Sequence, residues 1–321
     1  MLKLIHKYFD LSSRLSFFDY QQVLNEITQE VTPLLSQGQV ANYIPALAGV
    51  DPTSFSIAIY TTDGQTICAG DCSQRFTIQS VSKVMTLTMA LQRYGDDLWH
   101  RVGKEPSGTA FNSLTQLEFE KGIPRNPFIN AGAIVTCDAL YSRLSAPKHS
   151  MLEMFRLLAG DRNIIIDKKV AQSEYEFRHR NAAMAHLMKS FGNFNNEVDD
   201  VLSAYFHFCA IELNCIELAK AYNFLANKGV DNSSGKRILS SLQNKQLNSL
   251  LFTSGLYDAA GDFGYRVGMP GKSGVSGVIL AVLPNKFTVA VYSPGLNSFG
   301  NSVAGIAALE LLSKKLDISI F

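Results

Sequence analysis

The sequence predicts an α/β (α+β) protein in which one antiparallel sheet is formed by the N- and C-terminal parts, flanked by helices, with a helical domain inserted between them. Three observations lead there. Strand-like runs occur at 55–69 and then only at 277–284 and 287–293. The middle, about 98–255, alternates loops rich in Gly, Pro and Asn with helical patterns and lacks strand alternation. Helical patterns also bracket the strands near both ends of the chain.

Residues 19–36 place Val23, Ile27, Val31 and Leu34 at helical spacing, and Pro33 bends or ends that helix. Residues 55–69 read as two strands joined at Thr62-Asp63-Gly64-Gln65, because Asp-Gly is a strong hairpin signal. Residues 80–94 are apolar on most faces, as a buried central helix requires, so chemistry at its start would lie in the core. Helical patterns follow at 151–159, 181–190, 198–209 and 211–228, then the two late strands and an apolar helix near 301–314. No internal repeat or low-complexity stretch interrupts this order. The expectation is one unit over 1–321, with a sheet subdomain at about 20–95 and 255–321 and a helical subdomain at about 96–254.

With 46% hydrophobic and 18% charged residues, the 321-residue chain is excluded from the disordered class. Lys plus Arg number 29 against 28 for Asp plus Glu, so no broad positive surface invites nucleic acid or an anionic membrane. A small-molecule partner is the better expectation. Five cysteines, Cys68, Cys72, Cys137, Cys209 and Cys215, argue by their odd number against a disulfide framework and for a reducing, cytoplasmic setting. Met1 to Arg14 lacks the pattern of a secretory signal, and no apolar run reaches the length of a membrane span. Asn232-Ser233-Ser234 is accordingly read as a turn. The six histidines form no H-E-x-x-H or Cys-His cluster, so metal chemistry is not expected.

Ser80-Val81-Ser82-Lys83 opens the buried helical run. A spacing of three puts Ser80 and Lys83 on one face, and apolar surroundings lower a lysine's proton affinity, which suits a serine nucleophile with a lysine base. Ser145-Ala146-Pro147-Lys148 and Ser233-Ser234-Gly235-Lys236 share the spacing but lie in loop-like sequence with Pro or Gly inside. Lys272-Ser273-Gly274 precedes the strand at 277, the triplet that active-site serine enzymes of the class A β-lactamase and penicillin-binding group pair with Ser-x-x-Lys. The stretch before it is not a phosphate loop, since Arg266 stands where the first glycine belongs and a strand follows.

Longer blocks resemble the serine-dependent glutaminases: Asn42 to Ala48, Phe76 to Lys83, Val102 to Ser113, Asn126 to Ile134, Ser254 to Gly274 and Pro294 to Val303. They run in the expected order over about residues 20–315. The resemblance implies a serine β-lactamase-like fold and hydrolysis of L-glutamine to L-glutamate and ammonia, without cofactor, by a homodimer or homotetramer. It implies Ser80 as nucleophile, Lys83 as base and Tyr257 as proton relay. The amides of Ser80 and Val275 would form the oxyanion hole, and Tyr43, Asn130, Glu174, Asn181 and Tyr205 would hold the substrate.

Ser276 and Val278 depart from the glycines usual beside Val275, and Glu174 to Asn181 keeps the outer pair but varies between them. A β-lactamase or penicillin-binding activity would want a Ser-Asp-Asn or Tyr-x-Asn element, which is missing between the two motifs. A cysteine amidotransferase would need a reactive thiol with a histidine partner, yet the cysteines sit mainly in apolar sequence where inert thiols are usual. An intact Ser80, Lys83 and Tyr257 set also argues against a non-catalytic binding relative.

Overall fold

The computed structural model describes residues 17–42, 44–108 and 112–321, with side chains from residue 20 onward. In chain order these form α1 (Phe17–Val31), β1 (Ser56–Thr61), β2 (Thr66–Gly70), β3 (Phe76–Thr77), α2 (Ser82–Tyr94), α3 (Leu114–Phe119) and α4 (Asn130–Tyr141). There follow α5 (Pro147–Ala159), β4 (Ile165–Ile166), α6 (Lys168–Glu176), α7 (His179–Ser190), α8 (Val198–Cys209), β5 (Ile211–Leu213) and α9 (Cys215–Ala221). The chain continues with α10 (Ser241–Ser254), α11 (Ala260–Val267), β6 (Gly271–Ser273), β7 (Val278–Leu283), β8 (Phe287–Tyr292) and α12 (Val303–Leu316).

Strands from both chain ends share one antiparallel sheet in the order β2-β1-β8-β7-β6, as the sequence predicts. The Asp63-Gly64 hairpin joins β1 to β2 in a register that pairs Ile59 with Ile67. Period-two alternation divides the central strands between two cores. Ile57, Ile59, Ile279, Ala281, Val289 and Val291 join one core with residues of α1 and α12. Ala58, Val278, Leu280, Val282 and Ala290 join the other, with α2, α4 and α8. Because helices cover both faces, β7 and β8 are buried at every position, which is why they read as continuous apolar runs. Helix α2 carries the second core: its residues from Ser82 to Leu91 are all buried.

Several expectations need correction. The middle of the chain is not free of strands, since β4 and β5 pair with β3 in a second antiparallel sheet of order β3-β5-β4. Strands of two or three residues are too short to display alternation. The stretch 211–228, read as one helix, is divided into β5, α9 and a 3-10 turn at Asn223–Leu225. Pro33 does end α1 as expected, in a 3-10 turn just beyond Val31, so the helix stops short of residue 36. Cys68 and Cys72 are joined in a disulfide, whereas Cys137, Cys209 and Cys215 are free and buried. The bridge spans the end of β2, where Gly70 at φ +77° turns the chain back on itself.

One close approach sets the position of α4. The Asn126 side chain accepts from the amides of Phe128 and Ile129 and donates to the Glu105 carbonyl at 2.9 Å, pinning the turn ahead of the helix. Gly132, one turn inside, lies so close that a Cβ there would overlap the Asn126 carbonyl oxygen. Overpacking of this kind costs about 1–3 kcal/mol or more, so Gly132→Ala should lower unfolding stability in urea by that amount. Gly49→Ala, where a Cβ meets nothing within 4 Å, is the control and should stay within about 0.5 kcal/mol of wild type. Equal stability of the two variants would remove Gly132 from this role.

Candidate active site

Ser80 lies in a single 3-10 turn, Gln79–Val81, that runs directly into α2. The turn is held from several sides: the Ile78 amide donates to the Ile211 carbonyl, and the buried Tyr222 hydroxyl donates to the Val81 carbonyl at 2.9 Å. Gln79 has φ +49°, a left-handed conformation unfavourable for a residue with a Cβ, and such strain persists only where surrounding contacts impose it. Gly274 completes the enclosure. A Cβ there would stand 2.8 Å from the Ile78 carbonyl oxygen, so only glycine lets the loop after β6 lie against the Ser80 turn. The Val275 amide on that loop has no acceptor among the described residues.

Lys83 follows one turn later and is 1% exposed. Its amine donates to the Asn130 side-chain oxygen at 2.7 Å and the Phe128 carbonyl at 3.2 Å. Asn130 in turn donates to Asn181 at 3.1 Å, linking α2, α4 and α7 through three side chains. Burial disfavours the ammonium and lowers the Lys83 pKa to about 8, against a smaller upward pull from Cys209 and Glu174. Lys272, the fully buried lysine of the Lys-Ser-Gly triplet, donates to the Ser273 carbonyl and stands 4.1 Å from the ring centre of Tyr257. Burial and the neighbouring charge of Lys83 hold it well below the ordinary lysine range. The Lys83 amine is 5.4 Å from the same ring. Tyr257 has φ +54°, a second left-handed residue, beside these two lysines.

A cavity of about 410 Å³ opens over Ser80 and is lined by Asn130, Glu174, Asn181, Tyr205 and Val275 together with Gln79, Arg180 and Cys209. Six of the nine sequence-predicted site residues therefore line one pocket. Lys83 lies beneath it, Tyr257 lines a different cavity with Phe252 and Tyr265, and Tyr43 lies outside the described residues. Glu174 is raised to about 8 by burial, opposed by a hydrogen bond from Gln79 and the charge of Lys83. Its Oε1 is buried without a hydrogen-bond partner among the described residues. Burial also drives the Tyr205 phenol well above its usual range, so it remains a donor.

Sequence reasoning missed Gln79, Arg180 and Cys209 as pocket walls; Gln79 stood inside a recognised block, and Arg180 beside the assigned Asn181. Ser276 and Val278 are buried at the Val275 turn, and the Val278 side chain packs against Gly274. Burial pushes the three free thiols up, Cys215 to about 12, which leaves them as poor nucleophiles. Ser80 at the pocket and a buried, weakly basic Lys83 one helical turn away are the residue types that nucleophile–base chemistry uses.

Known proteins give a consistent comparison. The family model described as glutaminase matches residues 38–321. A glutaminase of Pseudoalteromonas translucida (strain TAC 125) is 88% identical over 303 residues, covering 94% of this chain and 99% of its own. That of Aliivibrio salmonicida (strain LFI1238) is 57% identical over 302 residues, with coverages of 94% and 99%. Among solved structures, the probable glutaminase ybaS has a TM-score of 0.87 at 35% identity, covering 94% of this chain and 98% of its own. A probable glutaminase of Bacillus subtilis has a TM-score of 0.86 at 31% identity, with coverages of 95% and 99%.

The Lys83–Asn130 contact generates a test of which group titrates. Asn130→Asp sets a carboxylate at hydrogen-bond distance from the amine, and an opposite charge so placed raises a lysine's pKa by about 1–3 units. A base must be unprotonated to act, so the rising limb of the pH profile should move to higher pH by that amount. Measuring kcat/KM from about pH 6 to 10 reads the midpoint. An unmoved midpoint with activity retained would exclude Lys83 as the titrating base.

Proposed function

The chain belongs to the glutaminase family, with its β-lactamase-like fold, and from that premise we propose a Ser80–Lys83 acyl-enzyme route for its hydrolysis of L-glutamine to L-glutamate and ammonia. The observation that carries the mechanism is the Lys83 amine: buried, fixed by two hydrogen bonds, lowered to about 8, and one turn from a half-buried serine at the pocket floor.

In this reading neutral Lys83 takes the Ser80 proton as the hydroxyl oxygen attacks the carboxamide carbon. The charge that develops on the carboxamide oxygen is met by the backbone amides of Ser80 and Val275. The proton passes through Lys83 and Tyr257 to the leaving nitrogen, ammonia departs, and water repeats the attack on the ester to release glutamate. Glu174 takes the α-ammonium. Asn130, Asn181 and Tyr205 orient the rest, and Tyr43 completes the set by resemblance. Fixing both ends of a flexible substrate against one nucleophile is what converts binding into rate. No cofactor enters this route.

A β-lactam hydrolase remains the competing serine chemistry. The buried, unpaired Glu174 oxygen favours a substrate bearing an ammonium instead. For assembly we adopt a homodimer or homotetramer, in keeping with exposed apolar side chains such as Phe119 and Tyr265. A cytoplasmic location accords with three free thiols, and the Cys68–Cys72 bond weighs against it. Among the described residues no helix is long and apolar enough to cross a membrane.

Ser80→Ala should abolish ammonia release from glutamine while calorimetry still detects glutamine binding, because only one oxygen is removed. Residual turnover within about tenfold of wild type, roughly 1.4 kcal/mol of barrier, would exclude Ser80 as nucleophile. Asparagine and a chromogenic β-lactam assayed alongside discriminate the competing chemistry.

The pH dependence has a definite sign. Lys83 must lose its proton to act as base, and Glu174 must lose its proton to hold an ammonium. With both at about 8, kcat/KM for glutamine should rise with pH and approach its plateau only above that value. A flat profile between pH 6 and 9 would contradict both assignments.

A further inference from the structure

We propose that Arg180 reads the substrate's α-carboxylate and so makes the pocket selective for amides that carry an amino-acid head; this role rests on the glutaminase reading of the same pocket. The argument is one of charge. An α-amino acid brings an ammonium and a carboxylate, and among the described lining residues there is one acid, Glu174, and one cation, Arg180. If Glu174 pairs with the ammonium, the carboxylate is left against amides and phenols, which donate hydrogen bonds but carry no countercharge. Lys83 cannot supply it. It lies beneath the pocket and must be neutral to serve as base. Lys272 is fully buried and turned to the Ser273 carbonyl and the Tyr257 ring.

Arg180 is differently placed. It stands in the first turn of α7, one residue before Asn181, and is exposed at the pocket wall. Its Nε donates to the Asn112 carbonyl at 2.9 Å, which fixes the stem of the guanidinium. Its two terminal nitrogens have no hydrogen-bond or ion-pair partner among the described residues. Arg178, two residues earlier, is by contrast engaged: it pairs with Asp199 at 3.1 Å and lies 4.0 Å from the ring centre of Tyr175. A guanidinium held by Nε with its terminal nitrogens open has the planar donor edge that carboxylates accept. Glu174 and Arg180, six positions apart across the junction of α6 and α7, thus present opposite charges to one cavity.

The test compares L-glutamine with 4-aminobutanamide, which keeps the ammonium and the carboxamide but lacks the carboxylate, using wild type, Arg180→Gln and Arg180→Lys. Arg180→Gln should raise KM for glutamine by about 10- to 100-fold with kcat within about threefold, as expected for loss of a ground-state charge contact. Its kcat/KM for 4-aminobutanamide should not change, so the preference for glutamine contracts, and Arg180→Lys should recover part of it. Thermal melting confirms that each variant is folded. Arg180→Gln with glutamine kinetics like wild type overturns the proposal, as does an equal loss on both substrates, which would make Arg180 a support for Asn112. A wild type that hydrolyses neither compound overturns the glutaminase reading itself, a result separate from either of these.

Discussion

The site depends on keeping a lysine amine inside the protein core. An ammonium removed from water is costly unless its donors are matched, and the usual outcome is a lowered pKa. Lys83 meets both conditions, with hydrogen bonds to Phe128 and Asn130 and a pKa lowered to about 8. Those partners have to stand where α4 begins. The start of α4 is fixed by the Asn126 side chain and by the contact that only glycine permits at position 132. The basicity of one nitrogen therefore traces to a turn more than forty positions along the chain.

The two-faced sheet supplies the other half. Because β6 pairs with β7 at the sheet edge, the loop from Gly274 to Gly277 is carried to the start of α2, and Gly274 closes the remaining gap against Ile78. Gln79, next to Ser80, and Tyr257, next to the two buried lysines, both adopt left-handed backbone conformations. Unfavourable dihedrals at two such positions are a local stability cost that the packed surroundings offset. They fix the serine turn and aim the phenol between two lysines.

What could be read from the sequence was what leaves a local or periodic trace. The Asp63-Gly64 hairpin, the paired runs that became β7 and β8, the apolar α2 and the Ser-x-x-Lys element all announce themselves within a few residues. The small sheet of β3, β4 and β5 left no trace, since its pairing is non-local and its strands are too short for a period. The bond between Cys68 and Cys72 depends on the backbone turn at Gly70, which a cysteine count does not contain. Arg178 and Arg180 are indistinguishable as letters. Only the fold sends one to Asp199 and Tyr175 and the other to the pocket.

The proposed route couples binding to chemistry. Glu174 and Lys83 feel each other's charge, and burial holds each near 8, so at neutral pH the pair retains at least one proton that the proposed route requires it to lose. A substrate ammonium changes that balance. In the proposed route it gives the buried Glu174 oxygen a hydrogen-bonding positive partner, which favours the ionised carboxyl, while its own charge offsets the pull of that carboxylate on the Lys83 proton. A ligand with no ammonium does neither, even if its carboxamide fits over Ser80. In the proposed route, recognition of the amino-acid head thus bears on the protonation of Glu174 and Lys83 as well as on the position of the substrate, so part of the binding energy acts on the reacting groups and not on affinity alone.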